Sequence, residues 1–420
     1  MLENRNIYDV IVVGAGASGI MAAGRAAQMG ARVLLLEKMR QAGRKILITG
    51  KGRCNITHDA PEPVYYQNIF PKGKFLKHAF STFFVDDIIK ILHDRGVETT
   101  TERGSRVFPL SNQAKDVLNA LLDWMGKTNI DVIYNCKTKD LIIESGVLKG
   151  VHAETDNGPQ EFLAGKVILC TGGKSYPATG SSGDGYSLAQ QAGHSLSDVR
   201  PALVPLVTKG DIAGKLQGLS LKNVKAVVWV NGKKTKEDFG ELMFAHYGLT
   251  GPIILSLSRH VVEEMENNSN VEISIDLKPA LYEKKLDARL LRDLNEHGKK
   301  YLENIFKLWL PSSLIPVFLE QLELDRKKLC HQVSSRERRK ILLLMKDFRF
   351  QISGHPGYKE AIVTAGGVPT NEISSKTLES KLINGLYFAG ELIDLDGNTG
   401  GFNLQIAFST GWLAGQESAK

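Results

Sequence analysis

The stretch that most constrains this chain lies at its start. Residues 8–13 (YDVIVV) form a short apolar run that ends in Gly14-Ala15-Gly16-Ala17-Ser18-Gly19, and small-residue helix character follows over residues 20–29. In that setting glycine permits a tight turn, lets a pyrophosphate approach the backbone, and lets the helix pack closely on the strand. A second buried-strand pattern, residues 32–36 (RVLLL), ends at Glu37, placed to accept hydrogen bonds from a ribose diol. Strand, glycine turn, helix and terminal acid predict a βαβ nucleotide-binding unit with the phosphates on the helix N-terminus. Gly14, Gly16, Ala17, Ser18, Gly19, Glu37 and the adjoining Lys38 are the cofactor-binding positions this implies. The unit by itself leaves FAD and NAD open.

A chain of 420 residues, 42% hydrophobic and 24% charged, suits two or three domains with substantial cores. Further strands are expected at residues 131–134, 147–154 and 166–170, with an amphipathic helix over 116–126. From Asp198 the pattern changes: Pro201 and Pro205 interrupt it, residues 225–230 and 271–277 alternate as strands, and Asn231-Gly232 is a hairpin turn. Residues 282–345 carry Leu, Lys, Arg and Glu at helical spacing, broken near Pro311 and Pro316. Residues 385–415 return to strand, glycine-rich loop and a helix from about Asn403. The expected division is a Rossmann domain over 1–195 and 359–420, an inserted β-rich domain over 196–277 and 347–358, and a basic helical cap over 278–346.

The four cysteines, at 54, 136, 170 and 330, form no CxxC pair and no zinc-like spacing with histidine, so reduced thiols and no metal are expected. The first ten residues lack a basic n-region, and no apolar run reaches the ~18 to 20 residues of a membrane span. A cytoplasmic protein without membrane contact is the expectation. The formal charge of +7 is local: residues 278–346 hold 16 Lys plus Arg against 9 Asp plus Glu, and the remainder balances at 37 against 37.

The C-terminal run GLYFAGELIDLDGNTGGFNLQIAFSTG resembles the closing motif of FAD enzymes of the glutathione-reductase and succinate-dehydrogenase type, with Gly390-Glu391 in the place that meets the flavin ribitol. The helix beginning near Gly401, Phe402 and Asn403 would then aim its positive end at the flavin edge where reduction accumulates negative charge. Residues 167–185 (VILCTGGKSYPATGSSGDG) resemble the strand-then-ATGG segment of the same enzymes, which implicates Thr171, Gly172 and Gly173. No second GxGxxG follows a strand, so NAD(P)H as reductant would have to dock transiently or be replaced by another reductant.

These blocks, together with GRKILITGKGRCNIT, RVFP, GELMFAHYGLTGP and TAGGV, closely resemble a bacterial flavoprotein family labelled NAD(FAD)-utilizing dehydrogenases, over residues 8–415. The resemblance implies an FAD-binding Rossmann domain (α/β, glutathione-reductase-like), an inserted β-barrel-like domain and a helical cap. It also places Arg44, Lys45, Gly50, Gly52, Arg53, Cys54 and Asn55 where the chain runs from the adenosine half of FAD towards the isoalloxazine. Members are assigned as aminoacetone oxidases, as reductases in bile-acid dehydroxylation, and as the enzymes that reduce a uridine of 23S ribosomal RNA to dihydrouridine.

RNA reduction is the preferred expectation, because phosphate neutralisation by Lys and Arg supplies much of nucleic-acid affinity. Lys327, Lys328, Arg336, Arg338, Arg339 and Lys340 are the densest cluster, with an ordinary solvated helix face as the alternative. A small-molecule substrate, such as an amine, and a non-catalytic flavin-bearing ribosome-binding protein are the competing readings. Saturating a uracil C5–C6 bond needs a hydride and a proton, for which Cys54 and His246 are the candidate catalytic residues. Each has a structural alternative: Cys54 as a buried thiol under the flavin, His246 as a hydrogen-bonding loop residue.

Overall fold

The computed structural model describes residues 7–126 and 129–420, in two units: residues up to Pro201 together with Ala361–Lys420, and Ala202–Glu360. Among the described residues of the first, a seven-stranded sheet contains β1 (Ile7–Val13), β2 (Val33–Leu36), β3 (Ile130–Ile133), β4 (Lys137–Glu144), β5 (Val147–Thr155), β6 (Gly158–Leu169) and β7 (Leu386–Phe388). Their order is β3-β2-β1-β6-β5-β4, with β7 also on β6. β1 is central because Val10 to Val13 are buried. It pairs in parallel with β2, Val10 opposite Val33, and with β6, Val13 opposite Leu169. The parallel half is thus covered on both faces, as continuous Val/Ile/Leu runs require.

The expected strands at 131–134 and 147–154 match β3 and β5 to within a residue, whereas the segment expected at 166–170 is the end of a much longer β6. Its outer half, Gly158–Leu163, pairs antiparallel with β5, and only its last part is apolar throughout. The expected helix over 116–126 spans Ala114–Met125.

Two helices pack against each other over this sheet, α1 (Ala17–Gln28) and α2 (Phe402–Ser418). They pack backbone to backbone. A Cβ on Gly411 would lie 2.2 Å from the Ser18 carbonyl oxygen, and one on Gly415 would lie 2.3 Å from that of Ala22.

In the second unit six strands close into a barrel: Leu206–Thr208, Gly248–Thr250, Lys233–Ala245, Ser220–Val230, Val271–Asp276 and Phe348–Gly354. The Asn231-Gly232 turn joins Val230 to Lys233 with both residues left-handed, φ 49° and 75°, which suits a two-residue hairpin. Between the last two barrel strands lie helices Glu283–Glu296, Leu302–Trp309, Leu314–Leu322 and Ser335–Lys346. Pro311 falls between helices as expected, but Pro316 does not break one. It is the third residue of Leu314–Leu322, where its missing N–H would have had no intrahelical partner.

Part of the basic cluster is neutralised within this insert. Arg338 donates to both carboxylate oxygens of Asp287 at 2.9 and 3.3 Å, Arg339 pairs with Glu283 at 2.7 Å, and Lys328 with Glu337 at 2.6 Å. Lys327, Arg336 and Lys340 are exposed and make no ion pair among the described residues. No helix among the described residues is long and apolar enough to cross a membrane.

If the α1–α2 contact depends on the missing side chain, Gly411→Ala should lower unfolding free energy by about 1–3 kcal/mol, the cost of overpacking. Urea denaturation checks it, and an unshifted midpoint would contradict the close-packing argument.

Candidate cofactor site

β1 ends at a turn whose glycines do different jobs. Gly14 is left-handed at φ 100°, and a Cβ there would lie 2.7 Å from the Cys170 carbonyl oxygen; one on Gly19 would lie 1.8 Å from that of Gly14. Those two serve internal packing. Around Gly16 nothing comes within 4 Å of an added Cβ, so it faces open space. Gly16 also caps α1 without a side-chain hydrogen bond, and the first turn holds no acid. The helix therefore offers free N–H groups and an uncompensated positive end.

Glu37 is buried at the end of β2. Its carboxylate accepts from the amides of Ala15 and Met39, both at 2.8 Å, which ties the acid to the glycine turn. Burial pushes its carboxyl above the ordinary range, and the two amides work against that shift. Beside it, Lys38 pairs with Asp184 and Ser182, and Lys137 reaches Asp184 at 3.2 Å. Burial raises the Asp184 carboxyl, but the Lys38 contact, Ser182 and Lys137 together hold it below the usual value.

These groups border a cleft within the first unit enclosing about 1310 Å³, part of it open to solvent. Of the residues expected from sequence, it brings together Gly14, Gly16, Ala17, Ser18, Glu37, Lys38, Arg44, Lys45, Thr171, Gly172, Glu391 and Asn403. Gly19, Gly173, Gly390, Gly401 and Phe402 do not border it and pack nearby. A Cβ on Gly390 would lie 2.6 Å from Ser18 Oγ, and one on Gly401 2.3 Å from the Thr57 carbonyl oxygen. Asn403 lends its side chain to the loop before α2, accepting from Gly397 N and donating to Gly397 O, both at 2.8 Å.

The stretch Gly50–Asn55 lies apart from the cleft, which only Thr49 of its neighbours borders. Gly50, Lys51, Gly52 and Cys54 are all left-handed, with φ of 56°, 59°, 84° and 63°. Arg53 pairs with Glu102 and lies 4.1 Å over the Phe108 ring. With its amide turned to satisfy both ends, Asn55 accepts from Gly401 N at 3.1 Å and donates to Thr57 and Val107 carbonyls. The loop thus fastens the start of α2.

Cys54 is fully buried, and desolvation pushes its thiol up to about 12. That environment suits packing rather than proton delivery. His246 belongs to the other unit, exposed on the turn between Lys233–Ala245 and Gly248–Thr250, its ring edge-on to Tyr247.

Sequence reasoning missed the partners of Glu391 and one group of the cleft, Thr138. Thr138 and Thr171 border it with buried hydroxyls that have no partner, so a polar ligand would complete them. Thr171 lay inside an identified block, but Thr138 is an unremarkable strand residue. Ser175 and Thr364 were also inside quoted blocks, yet nothing local marks them as the partners of Glu391. Lys45 Nζ meets that carboxylate at 2.6 Å, Ser175 Oγ donates to it at 2.8 Å and Thr364 N at 2.7 Å. Open glycine, free helix N–H groups, orphaned hydroxyls and an acid at either end suit a long dinucleotide with an anionic middle.

A family model described as the HI0933-like protein Rossmann domain matches residues 8–417. A 3-dehydro-bile acid delta(4,6)-reductase of Clostridium scindens is 32% identical, covering 97% of this chain and 98% of its own. A ribosomal RNA dihydrouridine synthase of Escherichia coli is also 32% identical, over 98% of each. Among solved structures, a quinol-fumarate reductase aligns with TM-score 0.53 and 16% identity, over 98% of this chain and 71% of that one, a likeness of fold.

Burial keeps the Cys54 thiol protonated and out of reach of reagents in the native fold. Iodoacetamide at mildly alkaline pH should leave Cys54 unmodified in the native protein and alkylate it after denaturation, as peptide mass spectrometry reads; rapid native labelling would contradict its burial.

Proposed function

The chain belongs to the HI0933-like family of FAD-dependent oxidoreductases, and on that premise we propose that it reduces a carbon–carbon double bond conjugated to a carbonyl, with uridine in 23S ribosomal RNA as substrate. FAD would lie in the cleft, its pyrophosphate on Gly16 and the first turn of α1, its adenosine ribose on Glu37 and its ribitol on Glu391. Arg44, Lys45, Thr171 and Gly172 would complete the walls. Bound there, FAD supplies the hydride through its N5. NAD(P)H, docking transiently, is the proposed source of electrons.

The names of the two relatives support a reductase over an amine oxidase. A delta(4,6)-reductase and a dihydrouridine synthase both add hydrogen across a C=C bond. Family membership leaves the non-catalytic ribosome-binding reading without support. Since the two relatives are equally similar, the single observation that favours RNA is the group of exposed, unpaired cations Lys327, Arg336 and Lys340 on the inserted helices. Counterion release from phosphates is the force such cations supply. The second reading, a small steroid-like enone, rests on the Clostridium scindens relative.

Nucleoside mass spectrometry of 23S ribosomal RNA with and without the gene is the deciding measurement. Loss of one dihydrouridine on deletion is expected, and an unchanged level would refute the RNA reading. The triple variant Lys327→Ala, Arg336→Ala, Lys340→Ala should bind that RNA more weakly, its log–log salt slope shallower by up to ~0.9 per lost phosphate contact. FAD content should not change. An unaltered slope would remove these cations from the interface.

A further inference from the structure

Three other segments of the chain converge on the Glu391 carboxylate. Lys45 comes from the Arg44–Ile48 helix, Ser175 from the loop after β6, Thr364 from the strand Val363–Ala365, and Glu391 from the turn after β7. Oε1 accepts from Ser175 Oγ at 2.8 Å and Thr364 N at 2.7 Å, while Oε2 accepts from Lys45 Nζ at 2.6 Å. Lys45 spends a second N–H on Ser175 Oγ at 2.5 Å. Thr364 fastens the loop as well, its Oγ1 accepting from Lys174 N at 2.8 Å and Ser175 N at 3.1 Å. There is no slack: a Cβ on Gly173 would lie 2.4 Å from Thr364 Oγ1 and 2.9 Å from Glu391 Oε1.

An ionised carboxylate offers about four lone-pair directions. Three are filled here, and the free one is on Oε2, at the cleft wall. A lone glutamate would rotate about its side-chain bonds and would repel an anionic cofactor. Lys45 offsets that charge, and Ser175 with the Thr364 amide fixes the plane of the group before any ligand arrives.

Resting on the FAD reading, we propose that Lys45, Ser175 and Thr364 are positioning residues that hold Glu391 charge-compensated and aimed, so that it accepts a single hydroxyl of the ribityl chain. Lys45 acts through Glu391 rather than as a ligand of the pyrophosphate. The clamp therefore discriminates between the two halves of the cofactor. ADP, which carries the adenosine and pyrophosphate but no ribitol, does not use it.

The test compares FAD and ADP dissociation constants on apoprotein of the full chain, wild type against Ser175→Ala, Lys45→Met and Thr364→Val. FAD binding should weaken about tenfold in each, the scale of one lost charge-assisted or buried hydrogen bond; Thr364→Val keeps the amide that holds Glu391 and acts by releasing the Lys174 and Ser175 amides that Oγ1 anchors. ADP binding should stay within about twofold of wild type, which also certifies that each variant is folded. Ser175→Thr, which keeps the hydroxyl, should restore FAD affinity. Parallel loss of ADP and FAD binding in Lys45→Met would make Lys45 a pyrophosphate ligand and overturn its assignment. Wild-type FAD affinity in all three variants would overturn the clamp alone. A wild-type protein that binds ADP but no FAD would overturn the functional reading and the clamp with it.

Discussion

The direct backbone contact between α1 and α2 is the constraint on which the nucleotide-binding unit depends. Gly411 and Gly415 set the distance, because their hydrogens occupy the only space left beside the carbonyls of Ser18 and Ala22. That approach brings the end of the chain onto the turn that follows its first strand. Gly390, packed on Ser18 and bonded through its amide to Thr410, is the immediate result. Glu391 is the next residue, so the position of this acid at the cleft follows from how closely two helices can pack.

Charge in the cleft is arranged in compensated groups. The exposed Lys137 and the half-buried Lys38 answer Asp184, and Lys45 answers Glu391, two half-buried carboxylates that would be costly to leave without a partner. What remains uncompensated is Arg44, which makes no ion pair among the described residues, and the positive end of α1 beside Gly16, where a pyrophosphate is expected. The inserted helices repeat the pattern: Arg338, Arg339 and Lys328 answer acids, while Lys327, Arg336 and Lys340 stay exposed without an ion pair among the described residues. A net charge counted from sequence overstates what a surface offers, since it cannot separate paired cations from free ones.

Local patterns were readable where one short segment contains the whole physical cause. The glycine turn with its flanking strand and helix, the Asn231-Gly232 hairpin and the return to strand and helix after Gly385 are such cases. Pro316 misled because a proline's effect depends on its place in the helix, which periodicity does not resolve. β6 was read short because its outer half alternates with solvent and pairs antiparallel, so only its buried end looks like a Rossmann strand. The block around Cys54 was recognised as unusual, but its work is to hold α2 through Asn55 and Gly401.

The sequence alone determined the βαβ unit, its open glycine turn, the acid at the end of its second strand and the flavoprotein family, because each is written in contiguous residues whose spacing dictates backbone shape. Only the tertiary structure decided which groups meet Glu391, since Lys45 stands 346 positions from it and Ser175 216 positions away. It also decided which cations stay free and which thiol is sealed in the core. Such properties depend on what lies across a packed interface, and no local pattern of residues records that.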